Sequence, residues 1–95
     1  MSSADDLDNL RRKIDRVDVE ILKLLNQRGG LALEISRLKR KNSSSVYDPA
    51  REREIETRVK ERNKGPLSGS SVIGIFREII SSCRALQEEI GRAHV

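Results

Sequence analysis

From Leu7 onward the aliphatic residues fall on a seven-residue repeat. Leu7, Ile14, Ile21 and Ile35 occupy one register, and Leu10, Val17, Leu24, Leu31 and Leu38 the other. This spacing predicts one long helix over about residues 6–41. Asp5 and Asp6 suit its positive N-terminal end, and Lys39, Arg40 and Lys41 its negative C-terminal end, before Asn42 and the serines stop it. Gly29-Gly30 interrupts the pattern and costs about 1 kcal/mol per glycine relative to Ala in a helix interior. The apolar register nevertheless crosses both glycines without a slip, so the helix is expected to continue and not to break into a hairpin.

Asn42 to Tyr47 reads as a polar connector, and Asp48-Pro49 as an N-cap followed by proline at the first helical position. The second helix is expected over 49–63, with a narrow buried stripe of Ile55 and Val59, and Lys64-Gly65-Pro66 ends it. Ser68 caps a third helix over 68–91. Its stripe is Val72, Phe76, Ile79, Ile80, Cys83, Leu86, Gln87 and Ile90, with Gly91 closing it. No strand pattern of useful length and no internal repeat appears. The expected fold is all-α, with three helices in one domain spanning 1–95.

Composition narrows the function. The chain is 36% hydrophobic and 36% charged, with one Tyr and one Phe, so its core is aliphatic and small. A chain of this length buries only about 60% of its unfolded surface, a shortfall that favours self-association. Cys83 has no cysteine to pair with, and the lone His94 leaves no metal-ligand cluster and no Cys/His catalytic pair. No apolar run approaches a membrane span and no signal-like segment opens the chain, which reads as cytoplasmic. A net charge of +4 favours an anionic partner of unspecified size. So few aromatics supply little base stacking.

Polar residues within the apolar stripes carry the candidate chemistry. Arg28 sits at a position that the same helix elsewhere fills with Leu or Ile, and its guanidinium needs an anion there. That anion is a glutamate, or a ligand; alternatively Arg28 sets the register of a coiled coil. Lys39 returns to nearly the same face three turns on, about 16 Å along the axis, and is otherwise a solvated residue favoured by the helix dipole. Arg11 is about 25 Å from Arg28 and serves a different site unless a second, antiparallel chain brings it near. Cys83 and Gln87 lie one turn apart in an aliphatic stripe. The thiol fits as a small core residue, whereas a buried Gln amide needs polar partners. Asp48, Arg51 and Glu52 open the second helix, as a cap and a solvated turn or as a group facing a ligand. Together these residues suit a small dianion that also carries a hydroxyl.

The run Leu10-Arg11-Arg12-Lys13-Ile14-Asp15-Arg16-Val17-Asp18, then Ile21 to Arg28, Lys39, Val46 to Glu52 and Phe76 to Gln87 resembles the all-helical chorismate mutases. These occur as free enzymes and as N-terminal domains of bifunctional proteins. The resemblance covers nearly the whole chain. It implies an intertwined homodimer that rearranges chorismate to prephenate by a [3,3] shift with no metal, organic cofactor or covalent intermediate, in phenylalanine and tyrosine biosynthesis. By matching positions, Arg28 and Arg11 of the partner subunit grip the two carboxylates, and Lys39 and Gln87 donate to the ether oxygen. Arg51 reinforces the positive field, while Asp48 and Glu52 face the ring hydroxyl. Cys83 stands where the family usually has a serine that binds a carboxylate, and a thiol is the weaker donor. The implied partner is chorismate, not nucleic acid or membrane. Activity on isochorismate stays open.

Two other classes fit parts of the pattern. A basic helical dimer binding nucleic acid by charge needs exposed cations and steep salt dependence. A coiled-coil adaptor needs Arg28 only for register and tolerates leucine there.

Overall fold

A computed structural model of the chain describes residues 3–42 and 47–93, with side chains as far as Glu89. Residues 43–46 of the connector, the place of Ile90 on the third stripe and His94 lie outside the described residues. The heptad run forms one helix, α1, Ser3–Lys41, with Asp5 and Asp6 in its first turn and Lys39, Arg40 and Lys41 in its last. It passes through Gly29-Gly30 unbroken, as the register predicts. Gly29 is buried where α1 and the third helix approach, and a Cβ there would stand 3.5 Å from Leu86 Cδ2.

The second helix, α2, Pro49–Arg62, starts as its sequence signals. The Asp48 carboxylate accepts the Arg51 backbone N–H at 3.1 Å, and proline opens the first turn. Ile55 and Val59 are half-buried. Asn63 caps the end, and the chain turns at Gly65, which has φ +78° and precedes a cis bond to Pro66. Ser68 Oγ accepts the Ser71 N–H at 3.1 Å and opens the third helix, α3, Gly69–Ala93. The expected stop at Gly91 is corrected, because α3 runs two residues further. Glycine weakens a helix without ending it unless it adopts positive φ, and among the described residues only Gly65 does.

Both α1 and α2 pack on α3 and not on each other. The α1 face that is buried is not the heptad stripe but a line of small residues, Gly29, Ala32 and Ser36, at spacings of three and four. Ile80 and Cys83, at the centre of α3, are the buried apolar core. The heptad aliphatics stay open: Leu10, Ile14 and Val17 are each 57% exposed, and every described position from 3 to 27 is exposed. The molecule measures 62 × 29 × 14 Å, with a radius of gyration of 17.6 Å. A compact chain of about 100 residues has roughly 13 Å. The N-terminal half of α1 therefore projects as an uncovered rod with a bare aliphatic stripe among its charged residues. Among the described residues no helix is long and apolar enough to cross a membrane.

Candidate active site

Each helix brings one stripe to a cavity of about 250 Å³, and the three stripes share one spacing. From α1 come Arg28, Leu31, Ala32, Ile35 and Lys39. From the start of α2 come Asp48, Arg51, Glu52 and Ile55, and from α3 come Ile80, Cys83, Arg84 and Gln87. Steps of three and four residues put each set on one helical face, so three amphipathic faces meet around a shared space. Aliphatic walls with a few convergent charges suit a small polar ligand, and the volume lies just below the roughly 300–1,000 Å³ of drug-sized sites.

Most of the cavity's charges are already paired. Lys39 Nζ lies 3.8 Å from Asp48 Oδ2, and Arg51 Nη1 bonds Glu54 Oε2 at 3.2 Å. Arg84 Nη2 bonds both carboxylate oxygens of Glu52. Arg28 is the exception. It is half-buried, and its Nη1 donates to Cys83 Sγ at 3.1 Å; among the described residues no carboxylate pairs with it. A neutral thiol leaves most of that charge uncompensated, so the guanidinium keeps its demand for an anion. Gln87 meets its own demand differently: Nε2 donates to the Ala32 carbonyl at 2.6 Å. One N–H and the amide oxygen remain for a ligand.

Of the residues singled out in the sequence, Arg28, Lys39, Asp48, Arg51, Glu52, Cys83 and Gln87 line this cavity. Arg11 does not; it is exposed on the bare half of α1. Arg84 was not singled out, although it falls one turn after Ile80 on the α3 stripe. That spacing is the same signal that exposes Arg28. Arg28 and Gln87 are both half-buried between helices. Among the described residues no group of three His, Cys, Asp or Glu side chains is placed to share a metal ion.

Comparison with known proteins gives a consistent result. Residues 10–88 match chorismate mutase type II. The chain is 40% identical over 95 residues to the bifunctional chorismate mutase/prephenate dehydratase of Aquifex aeolicus, covering 96% of this chain and 26% of that protein. It thus spans about a quarter of the length of that relative. The chorismate mutase of Thermus thermophilus, in its form II structure, superposes with a TM-score of 0.85 at 38% identity, over 86% of this chain and 93% of that one. The Helicobacter pylori chorismate mutase, solved in complex with prephenate, gives 0.80 at 37%, over 87% and 90%. With the helices, the cavity and the matched run of residues in agreement, this chain belongs to the chorismate mutase type II family.

Proposed function

We propose that this chain is an isomerase that rearranges chorismate to prephenate in the three-helix cavity, working as a homodimer. The observation that carries the reading is Arg28, a half-buried guanidinium beside a cavity, with a thiol and, among the described residues, no carboxylate for a partner. A dicarboxylate supplies the missing anion. Its second carboxylate is met by Arg11 of the partner subunit. Support for that partner comes from the bare aliphatic face of α1 between Leu7 and Leu25, which carries Arg11 and needs cover in water. The homodimer is intertwined, with α1 of each copy lying along the other, and the site functions in the cytoplasm without nucleic acid or membrane.

The rearrangement breaks a C–O bond and forms a C–C bond within one molecule, with no proton transfer. Catalysis needs a folded substrate conformer and positive charge at the ether oxygen as that bond polarises. The aliphatic walls and the carboxylate grips hold the conformer. Lys39 and the free N–H of Gln87 approach the ether oxygen from α1 and α3, and docking on the Ala32 carbonyl keeps the amide in place. Arg51 adds to the field, and Asp48 and Glu52 accept from the ring hydroxyl. A million-fold acceleration asks for only about 8 kcal/mol of transition-state preference.

Loss of chorismate absorbance with purified wild type and Arg28→Leu tests the reading. Wild type consumes chorismate, while Arg28→Leu keeps its helical circular dichroism and loses nearly all turnover. Absence of turnover in the wild type, or full turnover in Arg28→Leu, overturns it.

A further inference from the structure

We infer that Arg84 is a positioning residue of this reaction, one that occupies Glu52 so that this carboxylate does not pair with Arg28 or draw Lys39 from its long contact with Asp48. The inference rests on the activity proposed above. Arg84 is on α3, next to Cys83. Its Nη2 bonds both Glu52 oxygens in the first turn of α2, and its guanidinium carbon stands 4.7 Å over the centre of the Tyr47 ring, just ahead of the α2 cap. The Arg84 side chain is 34% exposed and that of Glu52 27%, so the pair forms the edge of the cavity and not its open surface.

Without Arg84, Glu52 is a loose carboxylate in a cavity lined by Arg28, Lys39 and Arg51. Arg28 has no carboxylate of its own among the described residues, and Lys39 lies a long 3.8 Å from Asp48. Any pairing of Glu52 with these cations neutralises charge that an incoming dianion needs. Arg84 prevents this with a cation that is itself held by ring stacking and takes both carboxylate oxygens at once. Each oxygen keeps a lone pair for a ring hydroxyl. A second pair, Arg77 Nε to Glu56 Oε1 at 2.6 Å, also ties α3 to α2, and neither residue lines the cavity. It provides a control for simple cross-bracing.

Steady-state kinetics with chorismate on the full chain test the inference, using wild type, Arg84→Met, Glu52→Gln, the double variant and Arg77→Gln. Arg84→Met raises KM about two- to fivefold with a smaller change in kcat, as loss of a partly exposed ion pair allows. Adding Glu52→Gln to Arg84→Met brings KM back toward wild type, because a neutral amide no longer competes. Glu52→Gln alone does not lower KM, and Arg77→Gln leaves both constants unchanged. The inference is overturned if the losses of the two single variants multiply in the double variant, or if Arg84→Met leaves KM unaltered. Should circular dichroism show Arg84→Met unfolded, Arg84→Gln takes its place in the same cycle and the same two outcomes decide. Wild type that leaves chorismate untouched defeats the activity itself, a result distinct from a multiplicative cycle.

Discussion

The Arg28 guanidinium on α1 donates to the Cys83 thiol on α3 across 3.1 Å and meets no carboxylate among the described residues. The two residues are 55 positions apart, and their contact places a strong donor and a weak one side by side on the cavity wall.

A hydroxyl in place of that thiol is a better acceptor for Arg28 and a better donor to a substrate carboxylate. Cys83→Ser is therefore expected to lower KM for chorismate a few-fold with kcat little changed, since exchanging a weak donor for a stronger one is worth about 1 kcal/mol. Michaelis curves at fixed pH check this, and a higher KM contradicts it.

Ser36 is fully buried on α1, at 0% exposure, and its hydroxyl has no hydrogen-bond partner among the described residues. Burying an unsatisfied hydroxyl is costly, and alanine is the better helix former. Ser36→Ala is expected to raise stability by about 1 kcal/mol, read as a higher urea midpoint with an unchanged slope. A lower midpoint would show that the hydroxyl is satisfied.

The hydrogen bond from Arg77 holds the half-buried Glu56 carboxyl below its ordinary value near 4.5, with desolvation opposing and the Arg77 charge adding to the shift. A depressed carboxylate contributes stability that is fully present above its ordinary value and is lost as pH falls through the folded-state value. The stability gap between wild type and Arg77→Gln is accordingly flat from pH 7 to 5 and closes below about 4.5. Salt narrows it throughout, because Arg77 faces water and Glu56 is only half-buried. Urea titrations of both proteins across this pH range measure the gap, and one that widens in acid refutes the assignment.

Val17 is 57% exposed at the middle of the bare α1 face. If a second copy covers that face, Val17→Glu buries a charge in the interface and gives monomers by sedimentation, with loss of turnover and of unfolding cooperativity. An unchanged sedimentation coefficient and unchanged activity rule out this face as the interface.

The helices and their caps were readable residue by residue, because they depend on short-range periodicity and on groups within one turn of each other. Asp48 and Ser68 cap as their types dictate, and the unslipped heptad carries α1 through Gly29-Gly30. Arg28 and Gln87 stood out for the same reason, as polar breaks in apolar stripes. Their partners could not be read this way. The pairing of Arg28 with Cys83, Gln87 with Ala32 and Arg84 with Glu52 depends on how three helices cross, and so on the sizes of side chains far apart in the chain. Packing also decided which face of α1 this chain covers by itself. Small residues at Gly29, Ala32 and Ser36 let α3 approach, whereas the larger aliphatics of the heptad remain open, since one chain of this length has no further surface to cover them.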